Sequence, residues 1–420
     1  MKNLLIKGGA KLSGSVSIKG SKNAALPIMC AALLAKSKVV LTNVPDISDV
    51  KTLCKIFESI NVETKFENNT LEIDSSNISL AKFDKDLFCK MRASVLVIPA
   101  LLKHFGEGEI GIPGGCVLGK RSLQTHYDVL SAFNCQSEEL ENSIKFKTDG
   151  FSPYTGIIPE ASVTASENAI MLAVSSKGKS IIQNLACEPH VEDLCKFLIS
   201  LGADIKGVGT SKLEINGGSE LAQTDSSYSI CGDYLQAGTY ILMAAITNSP
   251  IEVKNFNPED LGMFLYLLKK AGVKFEKTSN SITVTSAENL KPVDVKTAVH
   301  PGFPTDLLSP FVIFLTQCNG KSTIFETLFE GRFSFLYELE KMGAEINILN
   351  NHQAEIHGPT KLKGKVVNSC DIRAGAAMVL AAMIASDQTI ITDIKYIDRG
   401  YDNFDENIKN LGGIISRQII

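Results

Sequence analysis

Apolar and polar positions along this chain form two phrases that recur six times. The first is an apolar run rich in small residues, then a short polar turn, then a β-branched segment. Residues 24–35 lead into Val39-Val40-Leu41, residues 93–102 into Ile110-Gly111-Ile112, and residues 169–174 into Ile181-Ile182. Residues 237–246 lead into Ile251-Glu252-Val253, residues 307–315 into Thr323-Ile324-Phe325, and residues 374–385 into Ile390-Ile391-Thr392. The second phrase ends a helical stretch on Asn or Gly at positions 61, 134, 202, 272, 343 and 412, in steps of 68 to 73 residues. Both residues accept the left-handed conformation just past a helix. The alternating residues that follow, such as Ala203-Asp204-Ile205-Lys206, predict strands.

A helix apolar all round belongs inside a unit, with strands and amphipathic helices outside it. The pattern therefore predicts six copies of an α/β unit of about 70 residues. Two groups of three would make two similar domains, each with helices at its centre. A period this long exceeds the usual solenoid repeats and favours closed globular assembly. Chemistry is expected in the cleft between the halves.

Composition adds little to this picture and removes several classes. The 420 residues are 44% apolar and 21% charged, as in an ordinary globular protein. The net charge of −4 gives no global basic field for nucleic acid, so an anionic ligand needs a local cationic cluster. None of the ten Cys forms C-x-x-C, and the six His show no metal-ligand spacing, so no metal or cofactor is implied. Such scattered thiols suit a reducing cytoplasm. The first residues lack a signal-peptide core, and the longest apolar stretch, residues 24–35, is far short of the ~20 residues of a membrane span. A soluble cytoplasmic protein is expected; its oligomeric state is not set.

Candidate chemistry starts at Pro113-Gly114-Gly115-Cys116-Val117-Leu118-Gly119-Lys120-Arg121, a glycine-rich loop with one thiol beside two cations. Such a loop lets backbone N–H groups approach an anion, and nearby cations stabilise a thiolate. Basic residues also stand where helices should begin: Lys22, Arg92 and Arg373. A cation there opposes the helix macrodipole, and a bound anion would relieve the conflict. Asp233 and Asp306 precede two of the apolar helices, where an Asp can cap. The Pro301-Gly302-Phe303-Pro304 turn would instead fix Asp306 as a general base. Glu330-Gly331-Arg332 and Asp398-Arg399 add cations that could equally form surface ion pairs. The absence of P-loop, dinucleotide, H-E-x-x-H and G-x-S-x-G motifs argues against nucleotide hydrolases, dehydrogenases, zincins and serine hydrolases.

Seven motifs in order carry a resemblance: Gly20-Ser21-Lys22-Asn23-Ala24-Ala25-Leu26-Pro27, Met91-Arg92-Ala93-Ser94, Pro113-Gly114-Gly115-Cys116, Phe303-Pro304-Thr305-Asp306, Phe329-Glu330-Gly331-Arg332-Phe333, Asp371-Ile372-Arg373-Ala374 and Ile397-Asp398-Arg399-Gly400-Tyr401. Over its full length the chain resembles the enolpyruvyl transferase family, in particular members acting on UDP-N-acetylglucosamine. The resemblance implies an α/β fold of two similar domains, each of three βαβαββ repeats around buried helices, an inside-out α/β barrel. It implies domains at 22–232 and at 1–21 plus 233–420, the N-terminal segment pairing with the C-terminal half. It also implies transfer of the enolpyruvyl group of phosphoenolpyruvate to the 3-hydroxyl of UDP-N-acetylglucosamine, the first committed step of peptidoglycan synthesis.

Residue roles carry over with the motifs. Lys22, Arg121 and Arg399 would hold the phosphate and carboxylate of phosphoenolpyruvate, and Arg92, Arg332 and Arg373 would line the same anionic region. Asn23 would contact the sugar. Arg121, Ser122, Leu123, Gln124, Thr125 and the Ser162-Val163-Thr164 turn would contact the uridine diphosphate, with Leu328 and Asp371 also against substrate. Asp306 would take the proton of the attacking hydroxyl. Cys116 would protonate the methylene carbon or add covalently as a phospholactoyl thioether. Lys120 and Arg121 favour the thiolate, whereas an acid must keep its proton. The expectation is that arriving phosphate neutralises these cations and restores the thiol.

Three places along the chain, covering several residues, depart from the family pattern. Ser122-Leu123-Gln124 stands where Pro, an aliphatic residue and Asp are common, Glu160 where a basic residue occurs, and Gln236 where Glu is frequent. None is assigned to the reacting atoms. Two other readings stay open at this point: transfer to shikimate 3-phosphate, disfavoured by the Pro-Gly-Gly-Cys loop, and a silent UDP-sugar-binding paralogue.

Overall fold

A computed structural model of the chain describes residues 2–80, 84–114, 122–221 and 227–419. It falls into two compact units, one running from Gly20 to Cys231 and the other made of Met1–Lys19 with Gly232–Ile420.

Each unit is built on a βαβαββ pattern. It runs uninterrupted in the first unit through strand Thr155–Ile157, helix Val163–Ser175, strand Gly178–Gln183, helix Pro189–Ser200 and the hairpin Asp204–Lys206 with Lys212–Gly217. The first two strands are parallel and the remaining pairs antiparallel. In the second unit Val295–Lys296, Leu308–Leu315, Gly320–Phe325, Ser334–Lys341, Glu345–Asn350 and Gln353–Gly358 repeat it. Other sheets take a strand from far along the chain. Tyr228–Ser229 lies parallel to Lys38–Thr42, and Gly14–Ser17 parallel to Ile251–Lys254. Lys2–Lys7 fills the place between Gln388–Thr392 and Ile414–Ile419, antiparallel to both. Among the described residues the sheet of Glu107–Gly111, Gln136–Glu139 and Ser143–Lys147 has three strands.

The six apolar runs form the centres of the units. Every residue of Leu308–Leu315 is buried, as are residues 234–245 and 373–383. In the first unit residues 24–32 and 165–174 are buried in the same way. The run 93–102 is not one helix: a 3₁₀ segment, Arg92–Val97, gives way to the α-helix Ile98–Phe105. Pro99 lacks the N–H that a continuous ladder needs and sits in the first turn of the new helix, where none is required. All six residues expected to be left-handed are so: Asn61 and Asn134 at φ 58° and 62°, and Gly202, Gly272, Gly343 and Gly412 between 96° and 100°.

Gly20 and Gly232 each stand one residue before a helix cap, Ser21 and Asp233. A Cβ on Gly20 would be driven into the Asn43 carbonyl oxygen, and one on Gly232 into that of Asn255. Both obstacles are backbone, so relief requires moving a strand end. Gly232→Ala is expected to destabilise by roughly 2–3 kcal/mol, read as a lower urea midpoint at unchanged slope.

Candidate active site

The second unit gathers one acid and two bases. Asp306 lies in the 3₁₀ turn Thr305–Leu307, so it does not cap the helix that follows. Its neighbour Thr305 donates through Oγ1 to Glu326 Oε2 at 2.7 Å. Glu326 is fully buried, and its Oε1 accepts from the Leu328 and Phe329 N–H groups at 2.8 and 3.1 Å. This ties the Asp306 turn to the loop leading to Arg332. Arg332 Nη2 donates to Asp306 Oδ1 at 3.0 Å, and Arg373 Nε to Oδ2 at 3.1 Å. The Asp306 side chain is 29% exposed, those of Arg332 and Arg373 2% and 4%. The carboxylate is thus the reachable member, backed by two buried guanidinium groups. Arg332 does not form the surface ion pair that its loop position allowed.

Asp371 and Asp233 cap helices. Asp371 Oδ1 accepts from the Arg373 and Ala374 N–H groups at 2.8 and 2.9 Å, which places Arg373 in the first turn of Ile372–Ile384. Asp233 Oδ1 accepts from the Leu235 and Gln236 N–H groups. Arg399 ends the 3₁₀ segment Ile394–Arg399 and is half-buried. The preceding Asp398 is gripped in bidentate fashion by Arg417, at 2.7 and 2.9 Å, and Arg417 also binds the buried Asp405.

In the first unit Lys22 opens the helix Lys22–Ala32, capped by Ser21, and its ammonium lies 3.2 Å from the buried Asp49. Asn23 is half-buried beside it. Arg92 opens its 3₁₀ segment and donates from Nη2 to the Ser122 carbonyl at 2.8 Å. Thr125 Oγ1 donates to Glu160 Oε2 at 3.0 Å. Arg92, the stretch Ser122, Leu123, Gln124, Thr125 and the turn Ser162, Val163, Thr164 are therefore drawn together, the last by His126. Ser122 and Gln124 are exposed, as is Leu328 in the other unit. Cys116 and Arg121, with Lys120, lie outside the described residues.

His126, 2% exposed, was not singled out in the sequence. Asn168 Nδ2 donates both to the Val95 carbonyl at 3.3 Å and to His126 Nδ1 at 3.1 Å. The carbonyl fixes the amide orientation, so Nδ1 is the acceptor and the ring proton sits on Nε2. Nε2 then donates to Thr164 Oγ1 at 3.1 Å. Burial, helped by the Arg92 charge, lowers the His126 pKa to about 3. The unfolded chain protonates this His below its ordinary ~6.5 while the folded one does not. Stability is therefore present above about pH 6.5 and drains as pH falls toward 3. Acidification from pH 6.5 to 5 is expected to cost roughly 2 kcal/mol through this group alone. His126→Gln should flatten that slope in urea titrations at the two pH values.

The cations at helix starts meet acids of the chain itself: Lys22 meets Asp49, and Arg373 meets Asp306. Sequence reading sought an external anion there and missed Asp49, Glu326 and His126. Glu326 carried a signal, since it follows a strand at the repeat position that Asn43, Asn184, Asn255 and Asp393 occupy elsewhere. Those four are left-handed and Glu326 is not, so the repeat position is occupied here by a residue of a different kind.

Residues 6–408 match the family model of EPSP synthase (3-phosphoshikimate 1-carboxyvinyltransferase). Similar proteins bearing the name UDP-N-acetylglucosamine 1-carboxyvinyltransferase include those of Campylobacter lari, 40% identical over 99% of both chains, and Borreliella burgdorferi, 36% identical over 99% of both. That of Chlorobaculum parvum is 37% identical over 100% of this chain and 99% of its own. Among solved structures, the enolpyruvyl transferase NikO from Streptomyces tendae superposes with a TM-score of 0.90 at 23% identity, over 99% of each chain. The EPSP synthase of Acinetobacter baumannii reaches 0.76 at 15% identity over 100% of each. These two likenesses establish the mixed α/β enolpyruvyl transferase fold.

Proposed function

The chain belongs to the EPSP synthase family of enolpyruvyl transferases, and we infer from its full-length relatives that it is a transferase acting on UDP-N-acetylglucosamine. It transfers the enolpyruvyl group of phosphoenolpyruvate to the 3-hydroxyl of that sugar nucleotide and releases phosphate. This is the first committed step of peptidoglycan synthesis. The observation that carries the chemistry is Asp306, partly exposed and held by two buried arginines.

In this reading Asp306 takes the proton as the sugar hydroxyl oxygen attacks the substituted carbon of phosphoenolpyruvate. A carboxylate has about four acceptor sites, so pairing with two arginines is compatible with accepting that proton. Arg332 and Arg373 act mainly through Asp306: their burial suits orientation of the base better than direct contact with substrate. Lys22 and Arg399, with Arg121, bind the phosphate and carboxylate. Lys22 has three donors, so its contact with Asp49 leaves donors for a ligand. Cys116 delivers a proton to the methylene carbon or forms the thioether. Arg92, Ser122, Leu123, Gln124, Thr125, Ser162, Val163 and Thr164 take the uridine diphosphate, which the start of helix Val163–Ser175 suits through its free N–H groups. Asn23, Leu328 and Asp371 complete the contacts. The phosphorylated substrates suit a cytoplasmic setting, and among the described residues no helix is long and apolar enough to cross a membrane.

Phosphate release from phosphoenolpyruvate tests the assignment. It is expected with UDP-N-acetylglucosamine and not with shikimate 3-phosphate. Release only with the latter would reassign the acceptor, and release with neither would reject the enzyme.

A further inference from the structure

Behind Arg373 lies a side chain that the roles above leave unused. Tyr401 is 3% exposed. Its hydroxyl lies 2.9 Å from Thr239 Oγ1. Thr239 has one hydroxyl proton, which goes to the Leu235 carbonyl at 3.0 Å. With that proton on the carbonyl, Tyr401 donates to Thr239 and its oxygen lone pairs remain to accept. The Arg373 guanidinium lies beside that hydroxyl and interacts with it electrostatically. Its central carbon also stands 5.3 Å from the Tyr401 ring centre, within cation–π range. Arg373 in turn donates to Asp306.

The backbone of the same residue sets the place of Arg399. The N–H groups of Gly400 and Tyr401 both donate to the Ile397 carbonyl at 3.0 Å, closing the segment that ends at Arg399. The Gly400 carbonyl accepts from Gln236 Nε2 at 3.3 Å, and a Cβ on Gly400 would meet the Ile372 side chain. The turn thus has little room to shift along the helix Ile372–Ile384 that carries Arg373.

We propose that Tyr401 is a positioning residue: its hydroxyl and ring fix Arg373, and through it the Asp306 carboxylate, in register with Arg399. The part that concerns turnover rests on the enolpyruvyl transfer proposed above; the part that concerns Arg373 does not.

Two readouts test this separately. In Tyr401→Phe the exchange of the Arg373 Nε–H with water, followed by NMR, is expected to quicken about tenfold. The kcat/KM for phosphoenolpyruvate should fall about tenfold, with the KM for UDP-N-acetylglucosamine within twofold. Thr239→Val, which removes the acceptor and leaves the phenol in place, should move both readouts in the same direction by less. Tyr240→Phe is the matched control. Tyr240 is equally buried and packs on the same Phe404 ring, at 5.5 Å against 4.6 Å for Tyr401, but its hydroxyl faces Asn407. It should change neither readout. Unchanged Arg373 exchange in both Tyr401→Phe and Thr239→Val overturns the inference whatever the kinetics. Faster exchange with normal kinetics overturns it too, as does an equal effect in Tyr240→Phe. If the unsubstituted protein releases no phosphate with UDP-N-acetylglucosamine while Tyr401→Phe still loosens Arg373, the positioning stands and the proposed reaction falls.

Discussion

Asp306→Asn is expected to lower turnover about a thousandfold, within the 10²–10⁴ range for loss of a general base, and to destabilise the fold at the same time. The two effects have different origins. An amide cannot take the hydroxyl proton, so the chemical step loses its base. The amide also presents one acceptor and one donor where the carboxylate presented two acceptors. Either Arg332 or Arg373 then faces an N–H group, and both are almost wholly buried. Leaving a buried charge without its partner costs about 3–5 kcal/mol. Thermal unfolding measures the second effect. Turnover at saturating substrate, at a temperature where the variant is fully folded, measures the first. If the folded variant keeps kcat within tenfold of the unsubstituted protein, Asp306 is not the base. A stability unchanged within 1 kcal/mol would mean that the two arginines do not depend on it.

The periodic part of the fold was open to sequence reading because local physics fixes it. Left-handed Asn or Gly past a helix and all-round apolar runs are properties of a few adjacent residues. All six cap positions appear where the pattern placed them, and so do the runs, except that 93–102 is split between a 3₁₀ segment and a helix. The borrowed strands are different. Nothing local in Gly14–Ser17 indicates that its partner is Ile251–Lys254, more than two hundred residues on. The site shows the same division. Asp306, Arg332 and Arg373 each stood out in a motif, yet their grip on one another depends on turns brought together from 26 and 67 residues away. Sequence gives each arginine a charge and hence an anion to bind. Only the packing shows that the anion is an aspartate of the chain. Tyr401 was part of a quoted motif without a role, because a phenol gains one only from the atoms that surround it.

Cys116→Ser is expected to lower turnover by about 10²- to 10⁴-fold and to abolish modification of position 116 by thiol-alkylating epoxides such as fosfomycin. A serine hydroxyl holds its proton too tightly to serve as the acid, and it cannot form the thioether. The alkylation arm is sharpened by the other thiols. Burial pushes Cys54 and Cys135 up to about 11 and Cys195 and Cys318 up to about 12. It also raises Cys30, Cys187 and Cys370. At pH 7 these seven hold almost no thiolate, the reactive form. Peptide mapping should therefore find an epoxide adduct at Cys116 in the unsubstituted protein and none at that site in the variant. Full turnover in Cys116→Ser would remove the thiol from the mechanism. The pH dependence of the alkylation rate then addresses the conflict between thiolate and acid. With Lys120 and Arg121 as neighbours, the Cys116 pKa of the free protein should lie below the ordinary ~8.5. A phosphate dianion bound to the same cations should raise it, so that the thiol regains its proton as the substrate that needs it arrives. If inorganic phosphate leaves the midpoint where it was, or lowers it, the proton donor must be sought elsewhere.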